Sequence, residues 1–174
     1  MPARHPSSAS TTPIARTRLE SVIRRLTAQR DILDMVCASA IPDGPVLELG
    51  LGNGRTYDHL RARLQGRRIV AFDRALAAHK SSIPPEGDLV LGEIRETAER
   101  FATAEAALVH VDIGTGYEDK DARTLEWLPQ LMVRLLKPGG IAVSGLPLVH
   151  PGLAPLPIPE TVPQDRYFLY RRAD

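Results

Sequence analysis

Cysteine is almost missing from this chain of 174 residues. Cys37 stands alone, which excludes an intramolecular disulfide and any zinc site built on paired cysteines. Lysine is nearly as scarce, with only Lys80, Lys120 and Lys137, and aromatic residues make up 5%. No stretch approaches the ~18 apolar residues that a membrane-crossing helix needs. Charge of one sign is lacking too. The formal net charge is +1, so electrostatics give no case for nucleic acid or an acidic membrane as the main partner. What remains is a hydrophobic fraction of 43% and a charged fraction of 25%, the mix of an ordinary globular domain. A chain of this length builds one core comfortably and two poorly.

The stretch from Met1 to Pro13 combines Ser, Thr, Ala, Pro and arginine without acids, and lacks the apolar centre of a secretory signal. A disordered arm is expected over residues 1–13, a single domain over 14–174, and a cytoplasmic location.

Apolar periodicity divides that domain. Leu19, Ile23, Leu26, Leu33 and Val36 form one helical stripe between Thr17 and Ala40, with a possible break near Gln29. The same helix carries Cys37 on its apolar side and places Arg24, Arg25 and Arg30 on a solvated face. Strands are expected at 46–49, 68–73, 88–93, 106–112 and 141–144. Helices follow over 56–65, around Ala98 and Phe101, and over 121–136 with a kink at Pro129. Alternating strands and helices predict a doubly wound, mostly parallel sheet flanked by helices. The end of the chain departs from that rhythm. Six prolines between residues 146 and 164 predict an irregular loop, and 166–171 reads as one last strand, giving a shortened C-terminal strand region.

Two features carry chemistry. The first is Glu48-Leu49-Gly50-Leu51-Gly52-Asn53-Gly54, a strand end running into a glycine loop and a helix start. Glycines at alternate positions let the backbone turn sharply and approach a bound molecule closely. A dinucleotide fingerprint needs a glycine at the sixth position, and Arg55 stands there. The second is a set of acids, Glu48, Asp73, Glu93 and Asp112, each ending a predicted strand. Ligands of open parallel sheets bind beyond those ends, so four acids distant in sequence should share one crevice. Clustered carboxylates suit a ligand rich in hydroxyls and amines, or a cation. The spacing is not that of a calcium loop and no histidine pair joins the acids, so no metal is expected. S-adenosyl-L-methionine offers ribose hydroxyls, an adenine amine, an ammonium and a sulfonium.

From about Val46 to Ser144, these motifs resemble the class I S-adenosylmethionine-dependent methyltransferases: a Rossmann-like α/β domain in a short, single-domain, bacterial-type form. Glu-x-Gly-x-Gly-x-Gly resembles the first motif of that family, and Leu136-Lys137-Pro138-Gly139-Gly140 resembles the turn before its fifth strand. The resemblance implies that Asp73 binds the ribose hydroxyls and that Arg74 lies along the adenine. It further implies that Glu93 and Ile94, in a Gly-acid-hydrophobe setting, read the adenine edge. Backbone around Gly50, Leu51, Gly52 and Gly54, with Glu48 behind, would hold the methionine portion. Asp112 would face the methionine amine or the acceptor.

Each reading has a plainer rival. Asp73 follows Gly54 at close to the ~20-residue offset of a ribose-binding acid, which favours the functional reading. Glu93 could cap the next helix, and Asp112 could cap the 113–116 loop. His110 and Tyr57 read as core residues, and the 113–116 segment could cradle a phosphate, but no lysine or following helix start supports that reading. Asp112, Tyr117 and His150 are candidates for a general base, and the catalytic residue stays unassigned. The expected activity is methyl transfer to a small-molecule acceptor, with neither nucleic acid nor membrane as partner and with self-association into a homo-oligomer. The alternative is a protein that binds S-adenosylmethionine without transferring the methyl group, as a sensor or assembly partner.

Overall fold

The computed structural model describes residues 17–174; the N-terminal arm read from the sequence lies outside the described residues. Helix α1 (Arg18–Ala38) starts at a reciprocal cap, in which the Thr17 side chain accepts from the Glu20 N–H and the Glu20 carboxylate accepts from the Thr17 N–H. The helix runs through Gln29 without the break expected there. Its C-terminal half buries Ala28, Ile32, Leu33 and Val36. The N-terminal half leaves Leu19 and Ile23 of the expected stripe exposed, together with Val22.

Seven strands form one sheet: β1 (Val46–Leu49), β2 (Ile69–Asp73), β3 (Leu89–Leu91), β4 (Ala106–Val111), β5 (Leu136–Ser144), β6 (Leu153–Pro155) and β7 (Phe168–Arg172). Their spatial order is β3-β2-β1-β4-β5-β7-β6. The first five are parallel, whereas β7 runs antiparallel to β5 and β6 antiparallel to β7. The expected doubly wound sheet is therefore present. The proline-rich segment differs from the irregular loop predicted for it, because Leu153–Pro155 pairs with β7. β6 is an edge strand, where a proline's missing N–H can face outwards. The Lys137-Pro138-Gly139-Gly140 turn lies inside β5 as a jump in register, Ala106 pairing with Leu136 and Leu108 with Ile141.

Helices α2 (Arg55–Arg63), α3 (Ile94–Glu99), α4 (Glu118–Leu125) and α5 (Leu128–Leu135) complete the fold. Residues 121–136 are thus two helices rather than one kinked helix. Pro129 sits in the first turn of α5, where its missing N–H costs nothing. Two apolar clusters cover the sheet. One joins Leu47, Leu49, Phe72, Val109 and Val111 to α5 residues Leu131, Met132 and Leu135. The other joins Val46, Leu108, Val143 and Tyr167 to Ile32 and Leu33 of α1 and Leu60 of α2. Cys37 packs at the edge of the second cluster, and burial pushes its thiol pKa up to about 11, which keeps it a protonated packing group.

Candidate ligand cleft at the carboxyl ends of the strands

Strand order reverses between β1 and β4, and there an open cleft of about 660 Å³ lies beyond the strand ends. Gly50, Gly52, Asp73, Arg74, Glu93, Ile94 and Asp112 all line it. The sheet sets their order across the cleft: Glu93 after β3, Asp73 ending β2, the glycine loop after β1, and Asp112 after β4. At the usual strand spacing this row spans roughly 14 Å, the reach of a nucleoside with an amino-acid arm. The sequence does not single out Arg95, Lys120, Thr124 and Trp127, which line the same cleft.

Asp73 ties the loop to β2. Its Oδ2 accepts from the Gly52 N–H at 2.7 Å and its Oδ1 from the Arg74 N–H at 2.7 Å. The N–H groups of Gly50 and Leu51 both donate to the Phe72 carbonyl, at 3.0 and 3.1 Å. A phosphate-binding loop points its N–H groups at the ligand; here three of them are already spent within the protein. The loop therefore suits a ligand that needs close approach and acceptors, and does not suit a pyrophosphate. Close approach is built in. At Gly50 (φ +98°) an added Cβ would meet the Asp112 carbonyl at 2.7 Å, whereas at Gly52 (φ +50°) it would meet nothing within 4 Å and would stand in open space.

Leu51, Gly54 and Glu48 lie outside the cleft lining. Leu51 is buried in the apolar cluster shared with α1 and α2. Gly54 (φ +83°) caps α2, and an added Cβ would meet Ser82 Cβ at 2.6 Å. Its lack of a side chain serves packing. Glu48 is fully buried, held by His110 Nδ1 at 2.7 Å and by the Thr56 hydroxyl. A carboxylate only accepts, so His110 Nδ1 carries the proton and donates it to Glu48. Burial works against a charged imidazole, but the Glu48 carboxylate and, further off, Asp112 outweigh it and raise the His110 pKa above its ordinary value of 6.5. His110 is the buried core histidine expected, except that its Nε2 lacks a hydrogen-bond partner among the described residues.

Glu93 occupies the N-cap position of α3, yet its side chain makes no capping bond. Its backbone carbonyl receives the Thr97 hydroxyl instead, at 3.0 Å, and the exposed carboxylate stays at the cleft. Asp112 is held at both carboxylate oxygens. Gln29 of α1 donates to its Oδ2 at 2.8 Å, Arg25 lies 3.6 Å from the same oxygen, and the buried Tyr167 hydroxyl points at Oδ1 from 3.5 Å. Burial first, then Asp112, raises the Tyr167 pKa, so the phenol keeps its proton and remains a donor. The anion-binding possibility of the 113–116 loop is taken up internally, because Asp121 accepts from the N–H groups of Thr115 and Gly116 at 2.7 and 3.0 Å. Neither Tyr117 nor His150, the other two general-base candidates, lines the cleft. His150 instead meets Gln130 at 2.8 Å.

One family model and one solved structure point to the same family, and further structures share the fold. A family model described as S-adenosyl-L-methionine methyltransferase matches residues 16–172. The crystal structure of an S-adenosyl-L-methionine methyl transferase from Silicibacter pomeroyi DSS-3 is 44% identical, covering 91% of this chain and 100% of its own, with a TM-score of 0.83. The 1,6-didemethyltoxoflavin-N1-methyltransferase of Burkholderia thailandensis, crystallised with 1,6-didemethyltoxoflavin and S-adenosylhomocysteine, shares the fold at 17% identity, a TM-score of 0.52, and coverage of 98% and 99%. A 16S rRNA methyltransferase from Catenulisporales acidiphilia shares it at 16% identity, a TM-score of 0.51, and coverage of 83% and 91%. No match was found among curated protein sequences.

Proposed function

The chain belongs to the S-adenosyl-L-methionine methyltransferases, and on that premise we propose that it methylates a small-molecule acceptor at the β4 end of the cleft. The carrying observation is the cleft volume of about 660 Å³, which lies in the range of small-molecule sites and must house cofactor and acceptor together.

The donor set fits the cofactor. Asp73 would accept the ribose hydroxyls, and Glu93, its carboxylate free of capping, would accept the adenine amine. Arg74 and Ile94 would flank the ring. Gly50 and Gly52 let the ligand lie against the backbone. The cofactor supplies a methyl group activated by its sulfonium. The protein's work is then alignment and exclusion of water, which needs no strong acid or base. Of the three candidate bases only Asp112 faces the cleft, within reach of a proton released by an acceptor N–H or O–H group. Domain limits of 14–174 belong to the same reading, as does self-association, which the exposed Leu19, Val22 and Ile23 support.

The test is release of S-adenosylhomocysteine from the full chain incubated with cofactor and a cell extract split by molecular weight. Turnover with the low-molecular-weight fraction is expected. Turnover only with the RNA or protein fraction would overturn the small-molecule assignment.

A further inference from the structure

The cofactor placed as above leaves one side of the cleft without a role. Arg95 of α3, Lys120 and Thr124 of α4, and Trp127 at the head of α5 line that side. Ile94, Leu125 and Trp127 pack against one apolar cluster, so the three helices cover the same face of the sheet. The Thr124 hydroxyl donates to the Lys120 carbonyl at 3.3 Å. The charged groups on this wall are two cations.

Both cations are uncommitted. Elsewhere arginines close on acids, Arg61 on Asp58, Arg63 on Asp34 and Arg68 on Asp88, at 2.5, 2.8 and 2.7 Å. Among the described residues neither Arg95 nor Lys120 forms an ion pair. Each lies over an aromatic ring instead. Lys120 Nζ is 4.7 Å from the Tyr117 centroid, and the Arg95 guanidinium is 6.0 Å from that of Trp127. A ring steadies a cation without neutralising it. The neighbouring acids Glu96, Glu118 and Asp119 do not line the cleft, and Asp121 accepts from Thr115 and Gly116 with its two oxygens.

The sign of the acceptor follows from the charges around it. The lining carries three carboxylates, Asp73, Glu93 and Asp112, and three cations, Arg74, Arg95 and Lys120. Asp112 also has Arg25 at 3.6 Å, from outside the lining. The cofactor adds a sulfonium, an ammonium and one carboxylate, so the loaded cleft holds a surplus of positive charge. Cleft walls of low dielectric focus such a field on whatever shares the space.

We propose that the methyl acceptor carries an anionic group, a carboxylate or a phosphate ester, which Lys120 receives, with Arg95 supplying a second positive charge on the same wall. A lysine ammonium is a compact point charge that suits either group. Lys120 follows β4 in the chain, as Asp112 does, so an acceptor held there keeps its nucleophile on the β4 side. The inference rests on the small-molecule reading proposed above and names the class of that small molecule.

The probe is the low-molecular-weight cell extract, resolved on an anion-exchange resin at neutral pH. Release of S-adenosylhomocysteine is expected with the retained, anionic subfraction. Lys120→Gln should raise the amount of that subfraction needed for half-maximal rate roughly 10- to 100-fold, the size of one hydrogen bond to a charged group. Arg95→Gln should raise it by less, and Lys120→Arg, which keeps the charge, should recover most of the loss. Calorimetry with S-adenosylhomocysteine and 5′-methylthioadenosine should place Lys120→Gln within about twofold of the native chain, since the cofactor's contacts lie elsewhere. Phosphatase treatment separates the two sources of charge: lost turnover identifies a phosphate ester, and retained turnover a carboxylate. Turnover with the unretained subfraction alone, or an unmoved half-maximal amount in the Lys120→Gln, Arg95→Gln double variant, would overturn the anionic acceptor. No turnover with any low-molecular-weight subfraction would instead overturn the small-molecule reading, and this inference with it.

Discussion

Below and above the glycine loop, the same residue type does opposite work. Below it, Glu48 is fully buried, bonded to His110 and Thr56, and does not line the cleft. Above it, Asp73 and Glu93 meet the cleft, one held only by backbone N–H groups and the other making no capping bond. All three acids stand at or near the end of a parallel strand. What separates them is position along the strand: Glu48 lies within β1, paired in register with His110 of β4, and Asp73 is the last residue of β2. Within a strand an acid must be satisfied by the fold, whereas beyond its end an acid is free for chemistry.

That contrast can be broken experimentally, most forcefully from below. Glu48→Leu strips His110 of its partner at a fully buried site, and should cost about 3–5 kcal/mol of unfolding free energy in urea titrations. Methylthioadenosine affinity of the folded fraction should barely move. From above, Asp73→Ala should cost about 1–3 kcal/mol of binding by calorimetry, with a stability loss of about 1 kcal/mol for the two backbone bonds it leaves. If stability and binding losses were the other way round, the division between buried floor and open cleft would be wrong.

A smaller effect sharpens the comparison through pH. The His110 pKa is raised in the folded chain, so folding favours the protonated ring. Its contribution to stability is complete below the ordinary value of about 6.5 and is lost as pH rises through the raised folded value. Denaturant midpoints of the native chain should therefore fall on going from pH 6 upwards, and this slope should flatten in His110→Gln. An unchanged slope in the variant would show that the buried pair does not titrate with folding.

Much of the cleft was legible because parallel strands announce themselves as apolar runs ending in acids. Asp73, Arg74, Glu93, Ile94 and Asp112, read from motif positions, do come together. The misreadings have local causes. Gln29 interrupts an apolar stripe and reads as a helix break; only the fold brings Asp112, 83 positions away, to its side chain. Arg25 looks like a solvated arginine for the same reason. β6 was hidden because prolines usually end strands, and no pattern in 146–164 shows that this segment would lie at an edge. Glycine spacing likewise does not reveal that Gly54 is small for the sake of Ser82.

The bond from the Gly52 N–H to Asp73 has a kinetic consequence. It fixes the glycine loop against β2 through the protein's own groups, so the conformational entropy of ordering that loop is spent during folding. Cofactor capture should then be a single concentration-dependent step, without a slow phase for loop closure. Differences in affinity among variants of the cleft should accordingly be expressed in how long the cofactor stays rather than in how fast it arrives.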